Sequence, residues 1–227
     1  MPKLTQMLRD QKIAGLMVGD ERICHGDRMS QDDWKAMINA MRNSFPRGTA
    51  IIYTNECSGT FGDDKHDPVV SEIPGGLDWV SIDKYRTDTD DDFFSKEIQG
   101  RYNKYIFPKL QSYQKVAVTP QTAGPVGGPI SAFHYVDRDD DERKLQQQQR
   151  YKGTSKLNVS GDDCDNSCSS KLELKDAQDF VNWAKSEPRI AMIAPYRWAE
   201  ASPAFGLSQM SSDLQNFWHD FGINTKN

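Results

Sequence analysis

The stretch Thr49-Ala50-Ile51-Ile52-Tyr53-Thr54-Asn55-Glu56 is apolar and rich in β-branched residues in its middle, and it turns polar at its end. This pattern is typical of a buried parallel strand whose polar end lies at the edge of a sheet. Four other runs share it, at 14–21, 77–85, 114–121 and 190–198. Five such runs predict five parallel strands.

Helical patterns separate these runs. Ser30 is placed as the N-cap of a first helix, in which Trp34, Ile38 and Met41 recur at helical spacing before Pro46 ends it. Further helices are predicted at 91–105, 175–186 and 212–221, the last stopped by Gly222. Alternating strands and helices predict an α/β fold of about five parallel βα units. We expect one domain over 1–227, with a polar insertion at about 123–172.

The composition excludes two classes of partner. The net charge is −5 and no Lys/Arg-rich run is present, so we expect no nucleic-acid partner. No apolar run reaches the 18 residues or so that a membrane-spanning helix needs, so we expect no membrane partner. The first twelve residues are polar and lack the apolar centre of a signal peptide. The compartment stays open, including an extracellular one if the N-terminus is truncated.

Cysteine and glycine patterns indicate neither a metal nor a cofactor. Cys164 and Cys168 have C-x₃-C spacing with no nearby histidine, unlike a zinc site, which leaves a disulfide between them open. The glycine-rich stretch at 124–128 lacks the Lys-Ser/Thr of a phosphate-binding loop. We therefore expect no metal site and no cofactor.

Polar and aromatic residues close every predicted strand. Because ligands of parallel α/β folds bind where the carboxyl ends of the strands meet, we expect a site there. Glycoside hydrolysis needs two carboxyl groups that flank one bond, while aromatic plates and amides hold the sugar. The candidate catalytic residues are Glu21, Glu56 and Asp83. The candidate substrate-binding residues are Asp20, Asn55, Tyr85, Gln121, Tyr196 and Trp198.

Some of these strand ends resemble known enzymes. Asn55-Glu56 resembles the Asn-Glu pair of retaining barrel glycosidases, in which the Glu is the acid/base. Asp20-Glu21 and Ile82-Asp83-x-Tyr85 resemble the fourth and sixth strands of chitinase-type and endoglycosidase-type barrels, and Trp198 resembles the Trp that closes the last strand.

This resemblance implies the C-terminal part of a (β/α)8 TIM barrel whose N-terminal strands are missing. It implies an O-glycosidic hydrolase that acts on an oligosaccharide or glycan, with Glu21 as general acid. The end of the fourth run, Pro120-Gln121, departs from the Asn-Glu family, which carries its nucleophilic carboxylate on the corresponding strand.

Three alternatives remain open. The first is a non-catalytic barrel fragment that binds a glycan or a protein. The second is an open, flavodoxin-like α/β sheet with a crevice at a reversal of strand order. In the third, the strand-end acids cap loops and the aromatics belong to the core. A partial barrel would also leave strand edges unpaired, so we expect self-association through them.

Overall fold

A computed structural model of the chain describes residues 2–24, 29–64, 67–84, 92–120, 124–125, 166–195, 204–205 and 211–224. The chain divides into two compact units. One comprises 1–85, 91–121 and 175–196, and the other comprises 86–90, 122–174 and 197–227. The sequence analysis expected a single domain over 1–227. The predicted insertion at 123–172 lies mostly outside the described residues.

The first unit is built on a sheet of five parallel strands. They are β1 (Gly15–Asp20), β2 (Ile51–Cys57), β3 (Trp79–Asp83), β4 (Lys115–Val118) and β6 (Ile190–Ile193). Their order is β1-β2-β3-β4-β6, and every neighbouring pair is parallel. The predicted α/β class and the five parallel strands are confirmed. The order runs in sequence, so the five described strands contain no reversal of the kind expected from a flavodoxin-like sheet.

The helices differ more from the prediction than the strands do. They are α1 (Pro2–Arg9), α2 (Gln31–Ser44), α3 (Asn166–Ser186) and α4 (Ser212–Asn224). Ser30 caps α2 as predicted, because its hydroxyl accepts the Asp33 amide at 3.1 Å. Helix α1 was not predicted. Helix α3 begins within the predicted insertion, and α4 continues through Gly222, so the predicted stop there was wrong.

The predicted helix at 91–105 is wound differently. It consists of π-helical turns at Phe94–Gln99 and Tyr102–Ile106, followed by a 3-10 turn at Phe107–Lys109. We call residues 94–109 the π-helical segment. The looser turns keep Phe94, Ile98 and Tyr102 buried together against the sheet.

The described residues of the second unit comprise a short antiparallel pair, the start of α3 at 166–174, and helix α4. Strands β5 (Gly124–Pro125) and β7 (Ala204–Phe205) pair with each other. In α4, the ring of Trp218 lies edge-on to Phe217 at 5.2 Å and to Phe221 at 5.8 Å. Across the part of the chain that the model describes, no helix has the length and apolarity to cross a bilayer.

The two faces of the five-stranded sheet are unlike each other. One face, which we call the core face, packs against α2, the π-helical segment and the C-terminal half of α3 through a single apolar cluster. Its strand residues include Val18, Ile52, Val80, Ile82, Val116 and Val118. Alternate residues point the other way, and they form the second face. In register there are Met17 beside Tyr53 and Tyr53 beside Trp79, all at least partly exposed.

A tyrosine joins β3 and β4 beyond the end of their ladder. The fully buried hydroxyl of Tyr102 accepts the Ile82 amide at 3.2 Å and donates to the Ala117 carbonyl at 3.0 Å. The ladder between these two strands ends at Val80 and Val116. The phenol therefore satisfies two backbone groups that the ladder leaves unpaired.

We expect Tyr102→Phe to destabilise the fold without changing its architecture. The substitution keeps the buried ring but leaves the Ile82 amide and the Ala117 carbonyl without the hydroxyl, which should lower the free energy of unfolding by about 1–3 kcal/mol. Urea titration followed by circular dichroism measures this. Tyr105→Phe is the matched control, since the Tyr105 hydroxyl bonds Asp64 at an exposed position. Equal losses in both variants would contradict the bridging role.

Candidate functional site

Polar side chains gather on the second face where β1, β2 and β3 end. The Asn55 amide nitrogen donates to the Asp20 carboxylate at 2.9 Å. Asp20 lies in register with Asn55, and Asp83 lies in register with Cys57, two residues further along β2. Side chains in register on parallel strands share a face. Asp20, Asn55 and Asp83 therefore lie on one side of the sheet, which we call the strand-end cluster.

A bulge in β1 places Asp20 in this cluster. Met17 pairs with Tyr53 and Asp20 pairs with Asn55, so β1 uses one residue more than β2 over the same length. Without the extra residue, Gly19 would lie opposite Asn55. Bulges re-aim side chains and are frequent beside active sites. The bulge therefore places the Asp20 carboxylate, rather than Gly19, opposite Asn55.

Glu21 follows the bulge in a left-handed backbone conformation, with φ of 48°. Its amide donates to the Asn55 carbonyl at 2.8 Å, which extends the pairing with β2 by one residue. Non-glycine residues rarely adopt this conformation, which costs about 1–2 kcal/mol and concentrates at functional sites. The half-buried Glu21 side chain is thereby held at the end of β1.

Tyr53 lies one step before Asn55 on the same face. Burial is the main cause that raises the pKa of its phenol to about 12, and the negative charges of Asp83 and then Asp20 raise it further. The Tyr53 phenol therefore interacts electrostatically with both carboxylates, one from each neighbouring strand. Its hydroxyl stays protonated at neutral pH and can donate a hydrogen bond.

The cluster also contains a buried acceptor. Asn55 is 5% exposed, and its Oδ1 atom has no hydrogen-bond partner among the residues that the model describes. The bond from its amide nitrogen to Asp20 fixes which way the amide points. A buried acceptor without a partner costs about 1–3 kcal/mol. A ligand hydroxyl that donated to Oδ1 would recover that cost.

Glu56 does not share this face. It lies in register with Ile82, which belongs to the apolar cluster, whereas Asp83 is in register with Cys57. Glu56 is completely buried, and it receives the Thr54 hydroxyl at 2.7 Å and the Ile23 amide at 3.3 Å. Glu56 and Asp83, predicted as members of one catalytic set, therefore lie on opposite faces of the sheet.

Burial dominates the chemistry of Glu56. Desolvation raises the pKa of its carboxyl group from 4.5 to about 7, against smaller lowering effects from Thr54 and the amides of Ile23 and Arg22. The indole of Trp34 also faces this carboxylate and favours its charge slightly, although its Nε1 makes no hydrogen bond within the described part of the chain. Glu56 therefore keeps its proton to a much higher pH than an exposed glutamate does.

A disulfide joins the end of β2 to the residues that follow β1. Cys24, just after β1, is bonded to Cys57, the last residue of β2, with their Cα atoms 5.5 Å apart. The sequence analysis did not pair these two residues. Their spacing in sequence, 33 residues, carries no signal of a bridge. Only the parallel register of β1 and β2 brings them together.

The nine predicted site residues fall into three groups by their position in the structure. Asp20, Asn55 and Asp83 come together, Glu21 lies beside them at the end of β1, and Glu56 lies on the core face. The remaining four, Tyr85, Gln121, Tyr196 and Trp198, lie outside the described residues. Cys164, half of the disulfide left open above, also lies outside them.

The sequence reasoning missed three members of the second face. Tyr53 is one, and the hydroxyls of Ser81 and Thr119, which lie 3.0 Å apart and are buried, are the others. Period-two alternation within the strands contains the signal that would have found them, since Tyr53 precedes Asn55 by two and Ser81 precedes Asp83 by two.

Neither metal clusters nor relatives add to this description. In the described ranges, no group of three or more His, Cys, Asp or Glu side chains is placed to hold a metal ion. No protein-family model, curated protein or solved structure matches the chain.

We expect the buried Glu56 to make stability fall as pH rises. Its folded pKa of about 7 lies above the unfolded value of 4.5, so between these values the folded state holds a proton that the unfolded state has lost. Raising the pH through this window should lower the free energy of unfolding by up to about 3 kcal/mol. Urea titrations at pH 4.5, 6 and 8 measure it.

Glu56→Gln should remove this dependence, because the neutral amide has no charge to desolvate. Its stability relative to wild type should therefore improve from pH 5 to pH 8. Glu72→Gln, at an exposed position, is the control. A wild-type stability that rises across the same window would show that Glu56 is not the buried acid described here.

Proposed function

We propose that the chain is a carbohydrate-active domain of the glycoside-hydrolase type, built as part of a (β/α) barrel and acting at the strand-end cluster. The observation that carries the proposal is the buried, unpartnered Asn55 Oδ1 held beside Asp20, because it supplies an acceptor for a ligand hydroxyl next to a carboxylate. Polyhydroxylated ligands meet such a site with many donors.

The strand order supports the barrel part of the proposal. Consecutive parallel strands with helices packed on one face are what a section of a (β/α) barrel contains, in which the second face lines the interior. The strand-end cluster then lies at the carboxyl mouth, where barrel enzymes place their active sites.

The two carboxylates that flank Tyr53 are the proposed catalytic pair. Asp20 and Asp83 lie two strands apart and are offset by two residues, so their backbones are separated by about 12 Å. Backbones this far apart are wide for the about 5 Å between carboxyl groups of retaining enzymes, and side chains that lean toward each other from them can reach the about 6.5–9.5 Å of inverting enzymes. We therefore assign an inverting reaction, with a water activated between the two groups.

Roles follow from the surroundings of each group. Asp20 accepts a hydrogen bond from Asn55, which orients its carboxylate for the role of general base. Asp83 is half-buried on β3 and suits the acid that protonates the leaving oxygen. Glu21 stays a candidate acid at the end of β1, whereas Glu56, on the core face, is given a structural role.

A non-catalytic glycan-binding domain is the second candidate. The separation of Glu56 from the cluster favours it, since the Asn-Glu resemblance then lacks its acid/base on the ligand side. The same Asn55 acceptor would serve binding without cleavage.

We expect Asp83→Asn and Asp20→Asn each to lower turnover of the best substrate by about 10²–10⁴-fold while the melting temperature is unchanged. A panel of 4-methylumbelliferyl glycosides provides the assay, and ¹H NMR of the released sugar gives its anomeric form. Asp67→Asn, at an exposed loop position, is the matched control, and Glu21→Gln tests the other candidate acid. Full activity in the Asp83→Asn variant would remove Asp83 from the mechanism.

Asn55→Ala should weaken oligosaccharide binding by about tenfold or more, because the ligand loses its buried acceptor. Calorimetric titration with chito-, cello-, xylo- and manno-oligosaccharides measures this. Binding without cleavage in wild type would support the non-catalytic candidate. An absence of both binding and cleavage across these sugars would overturn the carbohydrate assignment.

A further inference from the structure

The segment 21–24 folds back across the end of β2, where three attachments hold it. The Glu21 amide bonds the Asn55 carbonyl, the Ile23 amide bonds the Glu56 carboxylate, and Cys24 is bonded to Cys57. Ile23 is 1% exposed, so its side chain joins the core as the segment closes. The attachments lie on three consecutive residues of β2.

One of the three attachments is covalent, and its surroundings are local. The Cys57 amide donates to the Cys24 sulfur at 2.8 Å, and the Thr60 hydroxyl lies 3.4 Å from the Cys57 sulfur. Both cysteines are half-buried rather than enclosed, so a small thiol can approach them. The ladder between β2 and β3 runs through Cys57 without using the sulfur atom, so the sheet does not need the bridge.

Glu56 lies directly beneath this segment. Its carboxylate is completely buried and is bonded to the Ile23 amide. The raised pKa of Glu56 indicates that burial disfavours its charge. At neutral pH the carboxylate would therefore be stabilised if water reached it. The segment and the charge beneath it therefore act against each other, and the covalent bond favours closure.

We propose that the Cys24–Cys57 disulfide is a redox latch that holds residues 21–24 over Glu56, and that a dithiol reductant opens the segment and admits water to that carboxylate. In the opening step, a thiolate of the dithiol attacks one cysteine sulfur and the S–S bond breaks. The second thiol of the reductant then displaces the first cysteine. The two cysteines end as thiols and the reductant ends as a cyclic disulfide, so two electrons and two protons are transferred.

The latch does not rest on the proposed function, because its premises are the Cys24–Cys57 bond and the Ile23–Glu56 hydrogen bond, and neither involves a glycan. It is distinct from any bridge between Cys164 and Cys168. Opening should also free the backbone at Glu21, whose left-handed conformation the closed segment maintains. A change of redox state is thereby transmitted to the mouth of the sheet.

Hydrogen–deuterium exchange of the whole 227-residue chain tests the latch. The chain is oxidised with glutathione disulfide, then compared before and after treatment with dithiothreitol at pH 7. Mass spectrometry after alkylation reports the state of Cys24 and Cys57. On reduction, we expect the Ile23 amide to exchange at least about tenfold faster. The Val116 amide, which bonds the Arg189 carbonyl on the far side of the sheet, should be unchanged.

Two double variants sharpen the comparison. Cys24→Ser/Cys57→Ser should exchange fast at Ile23 with or without dithiothreitol. Cys164→Ser/Cys168→Ser retains the latch and should respond to the reductant as wild type does. The wild-type comparison alone decides the matter if the first variant does not fold.

Three results would overturn the latch. One is an unchanged Ile23 rate in protein shown to be reduced. Another is free thiols at both positions after treatment with glutathione disulfide. The last is equal acceleration at Ile23 and Val116, which would show general unfolding. None of these measurements reads glycan turnover, so failure of the latch and failure of the proposed activity remain distinguishable.

Discussion

The backbone ladder between β1, β2 and β3 determines which side chains can act together. Side chains in register on parallel strands share a face, and adjacent residues of one strand do not. The apolar residues of these strands must face the helices, so Ile52, Val80 and Ile82 fix the orientation of every residue between them. Asn55 and Asp83 lie on the second face because their neighbours are needed in the core.

The same rule assigns Glu56 to the core face, and the molecule accommodates it at a cost. A buried carboxylate needs donors, and it receives them from Thr54, two residues earlier on the same face, and from the Ile23 amide. These bonds offset only part of the desolvation, since the pKa of Glu56 remains raised. A disulfide one residue further along β2 then holds the donor segment in place. The acid, its donors and the bridge therefore form one structural unit.

The fold was largely readable from the sequence, and the site only in part. The strands were found because each apolar run is short and ends in polar residues, and the Ser30 cap was found because its chemistry is local. The π-helical winding of residues 94–109 and the N-terminal start of α3 could not be predicted, because both depend on tertiary packing. The sequence motif Asn55-Glu56 does not indicate that its two side chains point to opposite faces, because that follows from their place in a strand. The bridge between Cys24 and Cys57 needed the strand register, which no local pattern contains.

The bulge in β1 shows how the core and the site constrain each other. Val18 must enter the core, and strict alternation after it would direct Gly19 toward Asn55 and Asp20 toward Glu56. Two carboxylates would then approach each other on the buried face, which is unfavourable because like charges repel most strongly where water is excluded. The extra residue avoids this contact. It moves Asp20 to the second face, where the Asn55 amide nitrogen donates a hydrogen bond to its carboxylate. One irregularity thus both protects the core from a second acid and completes the polar cluster.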